Sequence, residues 1–208
     1  MGATVIDIAP HSDGRSRINI SYNGISQNLT INSGFIDDSV LNSKFGWTNP
    51  VTAVFEALGS GIILRDSWGA VDLSHLWERD YTKNTIVFHH TANNRSVKSI
   101  DNSHNSRRQP FDGIGYHFII DAKGNIYEGR PLEMKGAHIM PNTGRIGIAL
   151  IGNFEKSNPT TAQMQSTLLL TGILTTYYTI DNIGGHRDLA TGTVCPGDNF
   201  YSTLWRFL

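Results

Sequence analysis

The sequence predicts an α/β domain: a central mixed β-sheet flanked by about three helices, with a small β-rich extension before it. Three observations carry this. Short β-branched, apolar runs recur between residues 85 and 151. A capped helical stretch follows them from Thr160. Near the start, two alternating segments are joined by Asn23-Gly24.

In the extension, Ile18, Ile20 and Tyr22 alternate with polar residues, and Ile25, Leu29 and Ile31 lie on one face of a second run. Asn-Gly between them tolerates the positive φ angles of a type I′ turn, so the pair reads as a β-hairpin. A short helix is expected next, with Asn49 as N-cap, Pro50 in the first turn and Gly59 ending it. Gly59-Ser60-Gly61 reads as a linker, which gives an extension over residues 1–60 and a main domain over residues 61–208.

In the main domain, residues 85–91 read as a strand and residues 96–105 as a weak helix. Residues 116–121 and 126–128 read as two strands joined by Ala122-Lys123-Gly124-Asn125. Residues 145–151 form another strand, buried on both faces. Thr160 with Gln163 makes a capping box, and Met164, Leu168, Leu169 and Ile173 keep helical spacing to about residue 178. A closing helix is expected over residues 198–207.

Composition narrows the function classes. A net charge of −1 gives no reason to expect nucleic acid as a partner. No apolar run approaches the ~20 residues of a membrane helix, so no span is expected. Residues 1–10 lack the basic start and apolar core of a secretory signal. The single cysteine, Cys195, excludes an internal disulfide.

Seven of the eight histidines lie beyond residue 74. The His89-His90 pair, His186 and Cys195 stand out, because imidazole nitrogen and thiolate sulfur are preferred zinc ligands. Two neutral histidines and one thiolate leave one position of a tetrahedral zinc open for water, as in catalytic sites. Successive strand residues face opposite ways, so only one of His89 and His90 can reach such a site.

From residue 62 to 208 the chain resembles the type 2 N-acetylmuramoyl-L-alanine amidases, a family that includes the peptidoglycan recognition proteins and the small phage amidases. The resembling motifs occur in order: Arg65-Asp66-Ser67-Trp68-Gly69-Ala70, Val87-Phe88-His89-His90-Thr91-Ala92, Asp112-Gly113-Ile114-Gly115-Tyr116-His117, Ile126-Tyr127-Glu128-Gly129-Arg130, Gly136-Ala137-His138, Gly185-His186-Arg187-Asp188 and Cys195-Pro196-Gly197-Asp198.

The resemblance implies a zinc ion on His89, His186 and Cys195, with Tyr116 and Thr193 as catalytic residues. It places His138 in the substrate cleft. His90, the second histidine of the pair, is the remaining candidate for substrate, against packing behind the strand. His104 and His117 match family positions and read as structural. The step from His186 to Cys195 is nine positions, one longer than in most members, and Gly192 is placed to absorb the extra residue.

The implied reaction is hydrolysis of the amide between N-acetylmuramic acid and L-alanine in peptidoglycan, with muropeptides as ligands. Expected alternatives are a non-catalytic peptidoglycan-binding module, or a zinc peptidase of the same fold cutting within the stem peptide. The expected setting is the cell wall, in a lytic, wall-remodelling or antibacterial role. The protein is expected to be a monomer, held in the cytoplasm until released.

Overall fold

The computed structural model describes residues 61–204, and the backbone of three strands before them. These are β1 (Ile6–Pro10), β2 (Ser16–Tyr22) and β3 (Ile25–Ile31), an antiparallel sheet in the order β1-β2-β3. Tyr22 pairs with Ile25, the register of a two-residue hairpin. β1 has no counterpart in the sequence expectations. The helix expected from Asn49 to Gly59 lies outside the described residues, as do Asn23-Gly24, Gly59-Ser60 and the end of the closing helix after residue 204.

The second sheet has five strands: β4 (Thr85–His90), β5 (Phe118–Ile120), β6 (Ile126–Glu128), β7 (Arg145–Leu150) and β8 (Asn182–Gly185). Their order is β6-β5-β7-β4-β8. β4 runs parallel to β7 and β8, β5 runs parallel to β7, and β6 closes the far edge antiparallel to β5. The sheet is therefore mixed, as the sequence predicts. β8 is the strand that pattern reading misses. Its Asn-Ile-Gly-Gly sequence has one apolar residue, and pairing with β4 is what makes it a strand.

Strand alternation divides the sheet into two functions. Ile86 and Phe88 of β4, Ile146, Ile148 and Leu150 of β7, and Phe118 and Ile120 of β5 join one buried cluster. The long helix α3 (Thr161–Tyr177) contributes Leu170, Ile173 and Leu174 to it. Its capping box is present, with the Thr160 hydroxyl accepting from the Gln163 N–H at 3.0 Å. The Gln163 side chain then donates to the Ile120 and Ile151 carbonyls, tying the helix start to the sheet.

On the opposite face, α2 (Val97–Asn105) packs Val97 and Ile100 with Ile114 and Ile119. Ser96 caps it. Among the described residues the remaining α-helices are single turns: α1 (Arg65–Trp68), α4 (His186–Leu189) and α5 (Asp198–Tyr201). On this second face β7 presents Gly147 and Ala149, between its core residues. A Cβ at Gly147 would meet the His138 ring, so the missing side chain leaves room for that ring beside His89, whose strand partner is Ala149.

Candidate metal centre

His89 is the fifth residue of β4 and faces away from the α3 core, 1% exposed. His186 begins α4, directly after the partner strand β8. Cys195 comes from the loop that leads into α5. Candidate ligand atoms of these three side chains all lie within 4.8 Å of one another. The Cys195 Sγ is 3.6 Å from His89 Nδ1. Zinc–sulfur and zinc–nitrogen bonds of about 2.3 and 2.0–2.1 Å at a tetrahedral angle put the two donors about 3.6 Å apart, so this spacing fits zinc.

The loop carrying Cys195 is held from several sides. The main-chain N–H of Arg187 donates to the Cys195 carbonyl at 2.9 Å, and the Arg187 guanidinium reaches the Val194 carbonyl and, at 2.6 Å, Asp198. Asp188 accepts from the Gly185 N–H at 2.7 Å, fixing the turn between β8 and His186. Arg187 and Asp188 thus place two candidate ligands without being ligands themselves. Gly192, at φ +79°, lies in the loop between His186 and Cys195, in a conformation that suits glycine.

Burial sets the protonation states. His89 is held neutral well below the usual imidazole range, by burial first and then by His138, His186 and His90. Burial also lowers His186. The Cys195 thiol is pushed up to about 11 by burial, opposed by the His90 main-chain N–H and by Arg187. Both imidazoles therefore offer lone pairs at neutral pH, and a cation at Cys195 would displace its proton.

Tyr116 stands beside the centre, its ring 5.2 Å from that of His89. Burial raises the phenol, with Cys195 adding to the effect, so it stays a protonated hydrogen-bond donor. Thr193 Oγ1 accepts from the Cys195 N–H at 3.1 Å. This shapes the loop and leaves the hydroxyl hydrogen to donate elsewhere.

His90 lies on the other side of β4. Its Nδ1 accepts from the Phe154 N–H at 3.2 Å, its ring stacks 6.1 Å from Phe154, and it is 7% exposed. That position gives His90 a packing and hydrogen-bonding role behind the strand. His138 is also buried, with Nδ1 3.0 Å from His89 Nε2. It touches the candidate ligand His89 directly, a contact that no periodicity in the sequence signals.

Two further histidines are structural by their hydrogen bonds. His117 Nδ1 accepts from the Gly147 N–H and Nε2 faces the Met134 carbonyl, both at 3.0 Å. His104 Nδ1 accepts from the Gly115 N–H at 3.1 Å.

The chain matches the family described as N-acetylmuramoyl-L-alanine amidase over residues 79–198, which is more than half its length, and it belongs to that family. It is 31% identical to peptidoglycan-recognition protein SC2 of Drosophila melanogaster over 159 residues, 71% of this chain and 86% of that one. Among solved structures it resembles the N-acetylmuramoyl-L-alanine amidase LysC from Clostridium intestinale, with 36% identity and a TM-score of 0.61, covering 67% of this chain and 90% of the other. It also resembles peptidoglycan recognition protein LE in complex with tracheal cytotoxin, a monomeric diaminopimelic acid-type peptidoglycan. Identity there is 27% and the TM-score 0.62, over 69% of this chain and 91% of that one. The five-stranded mixed sheet is the fold of these relatives. Among the described residues, no helix is long and apolar enough to cross a membrane.

Proposed function

We propose that the protein is a zinc-dependent N-acetylmuramoyl-L-alanine amidase, which hydrolyses the amide between the lactyl group of N-acetylmuramic acid and L-alanine in peptidoglycan. The observation that carries this reading is the His89, His186 and Cys195 cluster, with donors within 4.8 Å and spacing that fits zinc. A zinc ion held there supplies Lewis acidity toward water and the amide carbonyl.

The chain's own residues do the rest. Tyr116, kept as a phenol by burial, donates a hydrogen bond to the oxygen on which negative charge develops. Thr193 adds a hydroxyl beside the same centre. The products are a muramic carboxylate and a free stem peptide. On this reading residues 61–208 form the catalytic unit and residues 1–60 an extension to it, the protein acts as a monomer, and it works on the cell wall.

A second reading has one observation in its favour, the 31% identity to a peptidoglycan-recognition protein. A purely sensing protein has no need of a metal ligand, and Cys195 speaks for the enzyme. The two part in one experiment. Purified protein is assayed for zinc and then incubated with sacculi. Soluble stem peptides ending in a free L-alanine amine are expected by mass spectrometry. Binding to sacculi without release would overturn the amidase reading. Fragments cut within the stem peptide would show that a different bond is broken.

A further inference from the structure

The geometry assigns His138 a role other than contact with substrate: it is a positioning residue that fixes which nitrogen of His89 faces the metal. This rests on the zinc reading above.

Two distances define the arrangement. His89 Nδ1 lies 3.6 Å from Cys195 Sγ and is the nitrogen turned toward that donor. His89 Nε2 lies 3.0 Å from His138 Nδ1. A neutral imidazole carries one proton, and a nitrogen that gives its lone pair to a metal cannot hold it. The His89 proton must then be on Nε2, where it donates to His138 Nδ1. His138 in turn carries its own proton on Nε2. The opposite arrangement, with the proton on His89 Nδ1, would block the lone pair that the centre needs.

The surroundings of His138 are built for one ring orientation. A Cβ at Gly147 would come within 2.6 Å of the imidazole, and one at Gly136 within 2.5 Å. The ring lies in a slot that only two glycines leave open. Its main-chain N–H donates to Asn142 Oδ1 at 2.9 Å, so backbone and ring are held together. The ring is 8% exposed, which leaves little of it for a ligand. His138 Nε2 is buried without a hydrogen-bond partner among the described residues, so Nδ1 is the nitrogen through which the ring engages its neighbour. Holding a histidine ligand through its second nitrogen is a general device for orienting it and raising its basicity.

The test has two arms on the full chain. In the first, long-range ¹H–¹⁵N spectra of metal-free wild-type protein read the tautomers directly. Expected are a proton on His89 Nε2 and a nitrogen–nitrogen coupling across to His138 Nδ1; a proton on His89 Nδ1 would overturn the assignment, whether or not any variant folds. In the second arm, zinc affinity is measured by competition with a chromophoric chelator. His138→Leu, which cannot accept the hydrogen bond, is expected to weaken binding about 10–100-fold. His138→Asn, whose Oδ1 stands near the place of Nδ1, is expected to lose much less. Wild-type affinity in His138→Leu, or equal losses in both variants, would remove the role from His138. Failure of the wild-type protein itself to bind zinc would instead remove the metal centre on which the role depends.

Discussion

The main-chain N–H of His90 points at the Sγ of Cys195, 3.4 Å away. The residue that turns its side chain away from the candidate centre thus still serves it through the backbone. A donor at that distance favours the thiolate, against the burial that favours the thiol. Without a cation the balance stays with the thiol.

Cys195→Ser is accordingly expected to abolish tight zinc binding, because a hydroxyl does not ionise where a thiol can. Zinc content after dialysis should fall to background and release of stem peptide should fall at least 100-fold, with the circular dichroism spectrum retained. Full activity in this variant would end the metal reading.

Tyr116→Phe removes one hydrogen-bond donor and keeps the ring. Loss of a single donor to a developing oxyanion typically costs about 10²–10³ in kcat. The expected result is a kcat loss of that order with KM and zinc content near wild type. A change in KM alone would make Tyr116 a binding residue.

His90 separates stability from catalysis. Its Nδ1 satisfies the Phe154 N–H in a buried place. His90→Leu leaves that N–H unpaired, at a cost of about 1–3 kcal/mol, and should lower the midpoint of denaturant unfolding. His90→Asn, with an oxygen in the place of Nδ1, should recover most of the loss. KM for muropeptide should be unchanged in both. A raised KM with unchanged stability would return His90 to the substrate side.

Acid should destabilise the fold even without metal. His117 is held neutral well below the usual range by burial first, with Lys83, His138 and Arg130 acting in the same direction and the Met134 backbone opposing. Its folded pKa lies below the unfolded value of about 6.5, so the unfolded chain binds the extra proton. The stability it contributes is present above about pH 6.5 and is lost as pH falls below it, at up to about 1.4 kcal/mol per pH unit. Urea unfolding with chelator present at pH 7.5 and 5.0 checks this. Equal unfolding free energies at the two pH values would contradict it.

What could be read before folding was whatever depends on near neighbours in the chain. The Thr160–Gln163 capping box, the hairpin register around Asn23-Gly24 and the apolar strand Thr85–His90 each follow from residues a few positions apart. That only one histidine of the pair faces the candidate site follows from strand alternation alone. Closing-helix length was not legible: residues 198–207 read as one helix, whereas Asp198–Tyr201 forms a single turn followed by further turn structure. Strand Asn182–Gly185 carries too little apolar pattern to be seen without its partner.

The sequence by itself determined the candidate ligand types, the strand that presents His89 and the family. Only the tertiary structure decided that His138 touches His89, that His90 supports Phe154, and that Cys195, 106 positions away, comes within 3.6 Å of His89 Nδ1. The physical reason is range. Alternation and capping act over a few residues of one segment, while these three contacts depend on the order of strands across the sheet and on the small residues that let side chains from different segments meet.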